Sequence, residues 1–233
     1  MQRATPCHSL RLPFQFDVLR LLQDFGTCTA SDWKQHFNTA DYSGNWTSIA
    51  LYSASGDAND IHTHGGTFKP TALLNACPYF VYVLEQFQCT KESVRLLNLA
   101  PGSVIHTHRD RGLAYEHGSF RIHIPLQTNP DVDFIVGGNK MDMRAGDCWY
   151  ANFDLPHSVH NRSDAARVHF VIDCIRNEWS DELFGKCGYN FEEEKKALAP
   201  DRNTILAMIA ELERINTDTS RAMISDLKQK LDA

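Results

Sequence analysis

Disulfide and zinc-ribbon spacing is missing from this chain: its seven cysteines are odd in number, scattered, and include no C-x-x-C pair. That argues against a disulfide frame and predicts reduced thiols in a cytoplasmic compartment. No apolar run is long enough to span a bilayer, and the opening MQRATPCHSLRLPFQF has neither an apolar signal core nor a small-residue cleavage site. No membrane association is therefore expected. Basic blocks and Lys/Arg stripes are lacking too, and the net charge is −6, so nucleic acid is not the expected partner. What is there, 233 residues with 42% hydrophobic content, can bury one substantial core with an appendage.

Leu12, Phe14, Phe16, Val18, Leu19 and Leu22 predict an opening strand or extended arm, then a helix with Phe25 and Trp33 on its buried side. Ser31-Asp32-Trp33 has the make-up of a helix start. Trp46 to Ser53 reads as a strand, and residues 60–66, with His62 and His64, as a polar loop near a substrate mouth. Leu73, Leu74, Phe80, Val81, Leu84 and Phe87 recur at roughly helical spacing and predict a helix outside a sheet, with Pro78 in its first turn. From Ser93 the texture changes to short apolar runs cut by turns, from SVRLLNLA through MDMRAGD to ARVHFVIDC. Eight or nine closely spaced strands predict a mainly β protein with flanking helices, for which a double-sheeted jelly roll satisfies the count.

Beyond Cys174, residues 192–196 read as a solvated face or linker. Ile205, Met208, Ile209, Leu212 and Ile215, then Ile224, Leu227 and Leu231, predict a C-terminal helical hairpin. The expected division is a barrel with N-terminal supporting helices over 1–180 and a helical extension over 181–233. The hairpin either covers the barrel or pairs with a second subunit in a homodimer.

Strand alternation sorts the polar residues. On a regular strand His106, His108 and Asp110 share a face, and the H-x-D spacing of His108 and Asp110 puts both within reach of one ion. His157 and His160 differ by three, so only one can face the barrel interior. Arg167, His169, Val171 and Asp173 share one face and Val168, Phe170 and Ile172 the other, the better core set; Arg121 and His123 likewise oppose Phe120, Ile122 and Ile124. A barrel carrying arginines and histidines inward has either a costly interior or an anionic guest. Two histidines and a carboxylate on one face of a metal leave the opposite positions open for a cosubstrate and oxygen, although a zinc hydrolase or a cupin-type sugar isomerase could use similar ligands.

The residues Pro101-Gly102-Ser103…His108-Arg109-Asp110, Phe120-Arg121-Ile122-His123-Ile124-Pro125-Leu126, Ala145-Gly146-Asp147 and Phe153-Asp154…His157-Ser-Val-His-Asn161…Arg167 resemble the aspartyl/asparaginyl β-hydroxylase family of Fe(II)- and 2-oxoglutarate-dependent oxygenases, which includes bacterial proline hydroxylases. The resemblance covers roughly 75 residues closely and another 50 upstream loosely. It implies a double-stranded β-helix, cupin-like core, with Fe(II) held by His108, Asp110 and His157, which favours His157 over His160. It further implies that Arg167 anchors the distal carboxylate of 2-oxoglutarate, with His123 and Arg121 beside the metal-chelated carboxylate or the substrate's own.

The animal protein hydroxylases of the family lack the carboxylate ligand, so Asp110 makes the chain similar to the bacterial small-molecule branch. The implied activity is O2-dependent hydroxylation of an unactivated C–H bond in a free amino acid or similar small molecule. Loops 55–69 and 111–118 are candidates to close over it, with Tyr115, Glu116 and His117 available to read it. The alternatives are hydroxylation of an Asp or Asn residue in a peptide or protein, and a non-catalytic metal- or anion-binding sensor.

Overall fold

Asp17 decides where the first helix starts. Its carboxylate accepts hydrogen bonds from the backbone N–H groups of Leu19 and Arg20 at 2.9 and 3.2 Å, the N-cap role that short acidic side chains fill well. Helix α1 (Val18–Cys28) therefore follows strand β1 (Ser9–Gln15) almost at once. Contrary to expectation, Ser31 starts no helix. Trp33 sits in the loop beyond α1, where its indole N–H donates to the Cys28 carbonyl and its ring meets Phe25 edge-on. The computed structural model describes residues 7–63 and 67–232, so His64 lies outside the described residues.

The chain continues through β2 (Lys34–Gln35), β3 (Tyr42–Ser43), β4 (Trp46–Ser53) and β5 (Lys69–Pro70), then α2 (Ala72–Asn75) and α3 (Pro78–Glu85). Eight strands follow: β6 (Lys91–Leu99), β7 (Val104–His108), β8 (Ser119–Gln127), β9 (Val132–Val136), β10 (Asn139–Lys140), β11 (Asp147–Ala151), β12 (His157–Asn161) and β13 (Arg167–Ile175). Helix α4 (Glu178–Lys186) lies near the end of this unit, which spans Cys7–Asn190.

The helical run expected over 70–87 is split, because the residue before a proline is pushed out of the helical region. Cys77 is non-helical at φ −120° and ψ 76°, and Pro78 opens α3 as its first-turn residue. Asp24, buried on α1, then caps the new helix by accepting from the N–H groups of Tyr79 and Phe80 at 2.7 and 2.8 Å. MDMRAGD is not a strand either, apart from Asp147 at the start of β11. It ends in a turn at Gly146, whose φ of +80° and approach to the Phe16 carbonyl, 2.4 Å from where a Cβ would sit, leave room only for glycine.

All strand pairings are antiparallel, in an eight-stranded sheet ordered β1-β11-β8-β13-β6-β4-β2 with β5 on β4, and a five-stranded sheet ordered β10-β9-β12-β7-β3. This is the expected jelly roll with flanking helices. Leu97, Leu99, Ile105, Phe134, Phe153, Val159 and Val171 fill the space between the sheets. The outer face of the larger sheet is apolar too: Phe170 stacks on Phe80 of α3 and Phe120 meets Phe184 of α4. No helix among the described residues is long and apolar enough to cross a membrane.

A second unit holds α5 (Phe191–Leu198), α6 (Arg202–Ile215) and α7 (Asp218–Asp232). Residues 192–196 form a solvated stretch of α5 with Lys195–Glu192 and Lys196–Glu193 ion pairs. The hairpin forms as expected around Ile205, Ile209 and Leu227, with Leu212, Ile224 and Leu231 packed against them. Met208 and Ile215 are exposed; they lie on one flank of the stripe rather than in its centre.

Asp24→Ala should cost about 1–2 kcal/mol through loss of the α3 cap. Urea unfolding of wild type and variant reads this as a lower midpoint at unchanged slope.

Candidate metal centre

A β-bulge aims the first candidate metal ligand. His157 pairs with His108, but Val159 pairs with Ile105, so two steps along β12 match three along β7. The extra residue shifts the alternation by one. Ile105 remains in the inter-sheet core, His106 is exposed, and His108 returns to face His157, with ring centroids 4.2 Å apart. His106 and His108 therefore do not share a face, which corrects the regular-strand expectation. Asp110 lies in the turn after β7, held there by its N–H donating to the Phe153 carbonyl at 2.9 Å.

The three side chains chosen from sequence converge. One ligand atom from each of His108, Asp110 and His157 lies within 4.8 Å of the others. His108 Nδ1 is 2.8 Å from the His106 carbonyl, and His157 Nδ1 is 3.0 Å from the Leu155 carbonyl. A carbonyl can only accept, so both rings carry their proton on Nδ1 and present the bare Nε2 to a metal. Burial drives His157 down to about 4, keeping it neutral near pH 7. Burial pushes Asp110 upward, but Arg121 and the two histidines outweigh it and hold the carboxyl below its ordinary value.

Arg121 is fully engaged. Its Nε and NH2 donate to the two oxygens of Asp173 at 2.5 and 3.0 Å, and NH1 donates to Asp110 Oδ2 at 2.8 Å. Asp173 stands opposite it in the β8–β13 register and also accepts from Ser93 Oγ at 2.7 Å and Arg95 NH2 at 3.3 Å. Deleting one partner of a buried ion pair costs about 3–5 kcal/mol, so this cluster is a rigid support for Asp110. It lines a cavity of about 560 Å³ with His108, Asp110, Trp46 and His36. His36 stacks on Trp46 with centroids 3.5 Å apart.

Deeper between the sheets, Arg167 is 1% exposed. NH2 approaches His169 Nδ1 at 2.9 Å, the guanidinium faces the Phe134 ring at 5.1 Å, and among the described residues Nε has no partner. Burial alone lowers it to about 9; among the described residues no carboxylate is paired with it. His123 Nδ1 is 3.1 Å from His169 Nδ1, and its ring stacks on Phe153, which meets His157 edge-on. A second cavity, about 410 Å³, has His169, Phe134, Met141 and Met143 in its wall.

His160 is half-buried opposite Val104 and Asp133, away from the trio. His62 is exposed beside Asp60. Tyr115, offered as a substrate reader, is buried instead: it stacks on Phe184 and its hydroxyl donates to Asp181 at 2.7 Å. Sequence reading passed over Arg95, His36 and Trp46. A charged residue inside the apolar run SVRLLNLA was a usable signal for Arg95, since a buried strand has no need of it; nothing local marked His36.

The family model described as aspartyl/asparaginyl beta-hydroxylase matches residues 16–177. The chain is 25% identical over 164 residues to L-proline cis-4-hydroxylase of Rhizobium meliloti (strain 1021), covering 68% of this chain and 58% of that protein. It is 29% identical over 153 residues to L-proline cis-3-hydroxylase 1 of a Streptomyces species, covering 60% and 50%. The chain thus spans between half and three fifths of the length of these relatives. A 2OG-Fe(II) oxygenase family oxidoreductase from Burkholderia pseudomallei shares the fold, with a TM-score of 0.50 at 13% identity over 73% of this chain and 86% of that one.

Arg121→Gln should weaken Co(II) binding about 10- to 100-fold, the usual consequence of losing a group that orients a ligand. His106→Ala and His160→Ala should leave it unchanged, as followed by visible absorption. Burial, with help from Arg95 and Arg121, lowers His36 to about 3. Neutral His36 therefore contributes stability that is fully present above pH ~6.5 and lost as the pH falls toward 3. His36→Phe should shrink the drop in urea midpoint between pH 7 and pH 4.5.

Proposed function

Because the chain belongs to the aspartyl/asparaginyl β-hydroxylase family, we propose that it is an Fe(II)- and 2-oxoglutarate-dependent dioxygenase that hydroxylates an unactivated C–H bond of a free amino acid. The observation that carries this reading is the pairing of a His-Asp-His ligand set with a buried arginine that has no acidic partner among the described residues. His108 and His157 would hold Fe(II) through Nε2 and Asp110 through a carboxylate oxygen, a donor set suited to ferrous iron with open positions. When bound, Fe(II) supplies oxygen activation coupled to decarboxylation of 2-oxoglutarate to succinate.

The protein's own part is orientation and charge. Arg167 would bind the distal carboxylate of 2-oxoglutarate, the guest that relieves its unbalanced burial. His123 lies between Arg167 and the metal ligands through the His169 and Phe153 contacts, which supports a place beside the cosubstrate. Arg121 is tied to Asp110 and Asp173 and so serves mainly to fix the carboxylate ligand.

Charge in the larger cavity points to an acidic guest. Arg95 and Arg121 carry +2 and Asp110 and Asp173 carry −2, so a divalent metal on Asp110 would leave the cluster at +2, and at +1 with the metal-bound carboxylate of 2-oxoglutarate. Arg95, with an unpaired Nε beside the cavity, is the group best placed to meet a substrate carboxylate. The flat His36–Trp46 stack offers an apolar wall for the rest of a small molecule. The proline hydroxylases among the relatives make proline the first amino acid to try.

The seven free cysteines fit a cytoplasmic setting. Exposed Met208 and Ile215 on α6 suit the homodimer contact expected from the sequence.

Succinate release measured across a panel of free amino acids, with peptides as comparison, tests the reading. One or more free amino acids should raise turnover in wild type. His108→Ala and His157→Ala should abolish the response, His160→Ala should keep most of it, and Arg167→Met should raise the 2-oxoglutarate requirement at least about tenfold. A response confined to peptides would overturn the small-molecule assignment.

A further inference from the structure

We propose that His169 is a second donor to the distal carboxylate of 2-oxoglutarate, acting beside Arg167 from the wall of the smaller cavity. The proposal rests on the oxygenase reading above.

Both hydrogen bonds of this imidazole are made by one of its nitrogens. Arg167 NH2 lies 2.9 Å from His169 Nδ1 and His123 Nδ1 lies 3.1 Å from the same atom. A guanidinium only donates, so Nδ1 of His169 accepts and the ring hydrogen belongs on Nε2. Burial, with Arg167 alongside, keeps the ring from protonating: His169 sits well below its ordinary pKa. The result is a neutral ring with a fixed tautomer and one N–H pointing away from its partners.

Among the described residues that N–H has no partner. His169 is 1% exposed, and its Nε2 is buried without a hydrogen-bond partner. The Nε of Arg167, two residues away on the same face of β13, is in the same condition. A buried unsatisfied donor costs about 1–3 kcal/mol, and two neighbours left so call for one acceptor-rich guest. His169 lines the cavity of about 410 Å³, where Phe134, Met141 and Met143 supply apolar walls and Lys140, Asp142 and Arg144 charged ones. A short aliphatic chain ending in a carboxylate matches such a lining, whereas a neutral hydrocarbon would leave both donors unmet.

Two isosteric changes separate a donor from a prop. His169→Asn keeps an acceptor near the Nδ1 position for Arg167 and removes the Nε2 donor. His169→Gln places an amide N–H near the Nε2 position and removes the acceptor. Calorimetric titration of Zn(II)-loaded protein, which does not turn over, with 2-oxoglutarate and with 2-oxobutyrate gives the preference for a distal carboxylate. That preference should fall about tenfold or more in His169→Asn, as expected for a lost charge-assisted hydrogen bond, and stay within about threefold of wild type in His169→Gln. A ring that merely braces Arg167 gives the reverse order, and that result overturns the proposal. So does a preference that survives His169→Asn, or a loss equal for both ligands. Failure of wild type to bind 2-oxoglutarate at all would instead remove the oxygenase reading on which the proposal stands.

Discussion

A carboxylate enclosed with two arginines is stable in a dry interior only when all three are hydrogen-bonded, and Asp173 meets that condition through Arg121, Arg95 and Ser93. The residues at the mouth of the barrel depend on this contact. Arg121 has one edge locked on Asp173 and so presents NH1 to Asp110 in a fixed direction. Asp110 needs such help because it stands in a turn, where no strand pairing governs its side chain. The sheet thus supports a loop residue electrostatically, through a cross-strand pair in the β8–β13 register.

The interior is polar at one end of β13 and at the other, with Val171 in the apolar core between them. Asp173 is balanced by arginines, whereas Arg167 has no acidic counterpart among the described residues. A native chain retains an uncompensated buried guanidinium at considerable cost, which makes sense where a charged guest completes the pair. The candidate metal ligands His108, Asp110 and His157 lie toward the balanced end. The ring contacts from His157 through Phe153 and His123 to His169 join the two ends without a break in packing.

Much of this was legible in the chain itself. Alternation along 167–173 separated Arg167 and Asp173 from Val168, Phe170 and Ile172, all three of which are buried, with Phe170 stacked on Phe80 of α3. Alternation also split His157 from His160 correctly, because β12 pairs regularly with β9. It misplaced His106 because a bulge depends on the partner strand, which local periodicity does not carry. The start of α1 was missed for a similar reason: Ser31 and Asp17 are both acceptable caps in isolation, and the packing of Leu21, Asp24 and Cys28 selects Asp17. Asp24 as a cap for α3, and the partnership of Arg95 with Asp173, are contacts between residues far apart in sequence, and the motifs gave them no local mark.

The bulge in β7 has a consequence for how this site can be copied. A β-strand keeps a two-beat rhythm, and the additional residue at 106–107 is a half-step that changes which beat His108 falls on. The short motif His-Arg-Asp is therefore not portable by itself. Grafted onto an uninterrupted strand in phase with the core residue three places earlier, it would turn the imidazole toward solvent while leaving the sheet intact. The convergence of His108 with Asp110 and His157 is thus partly a property of where the strand breaks its own pattern, and the length of the 104–108 segment matters as much to it as the identity of its histidine.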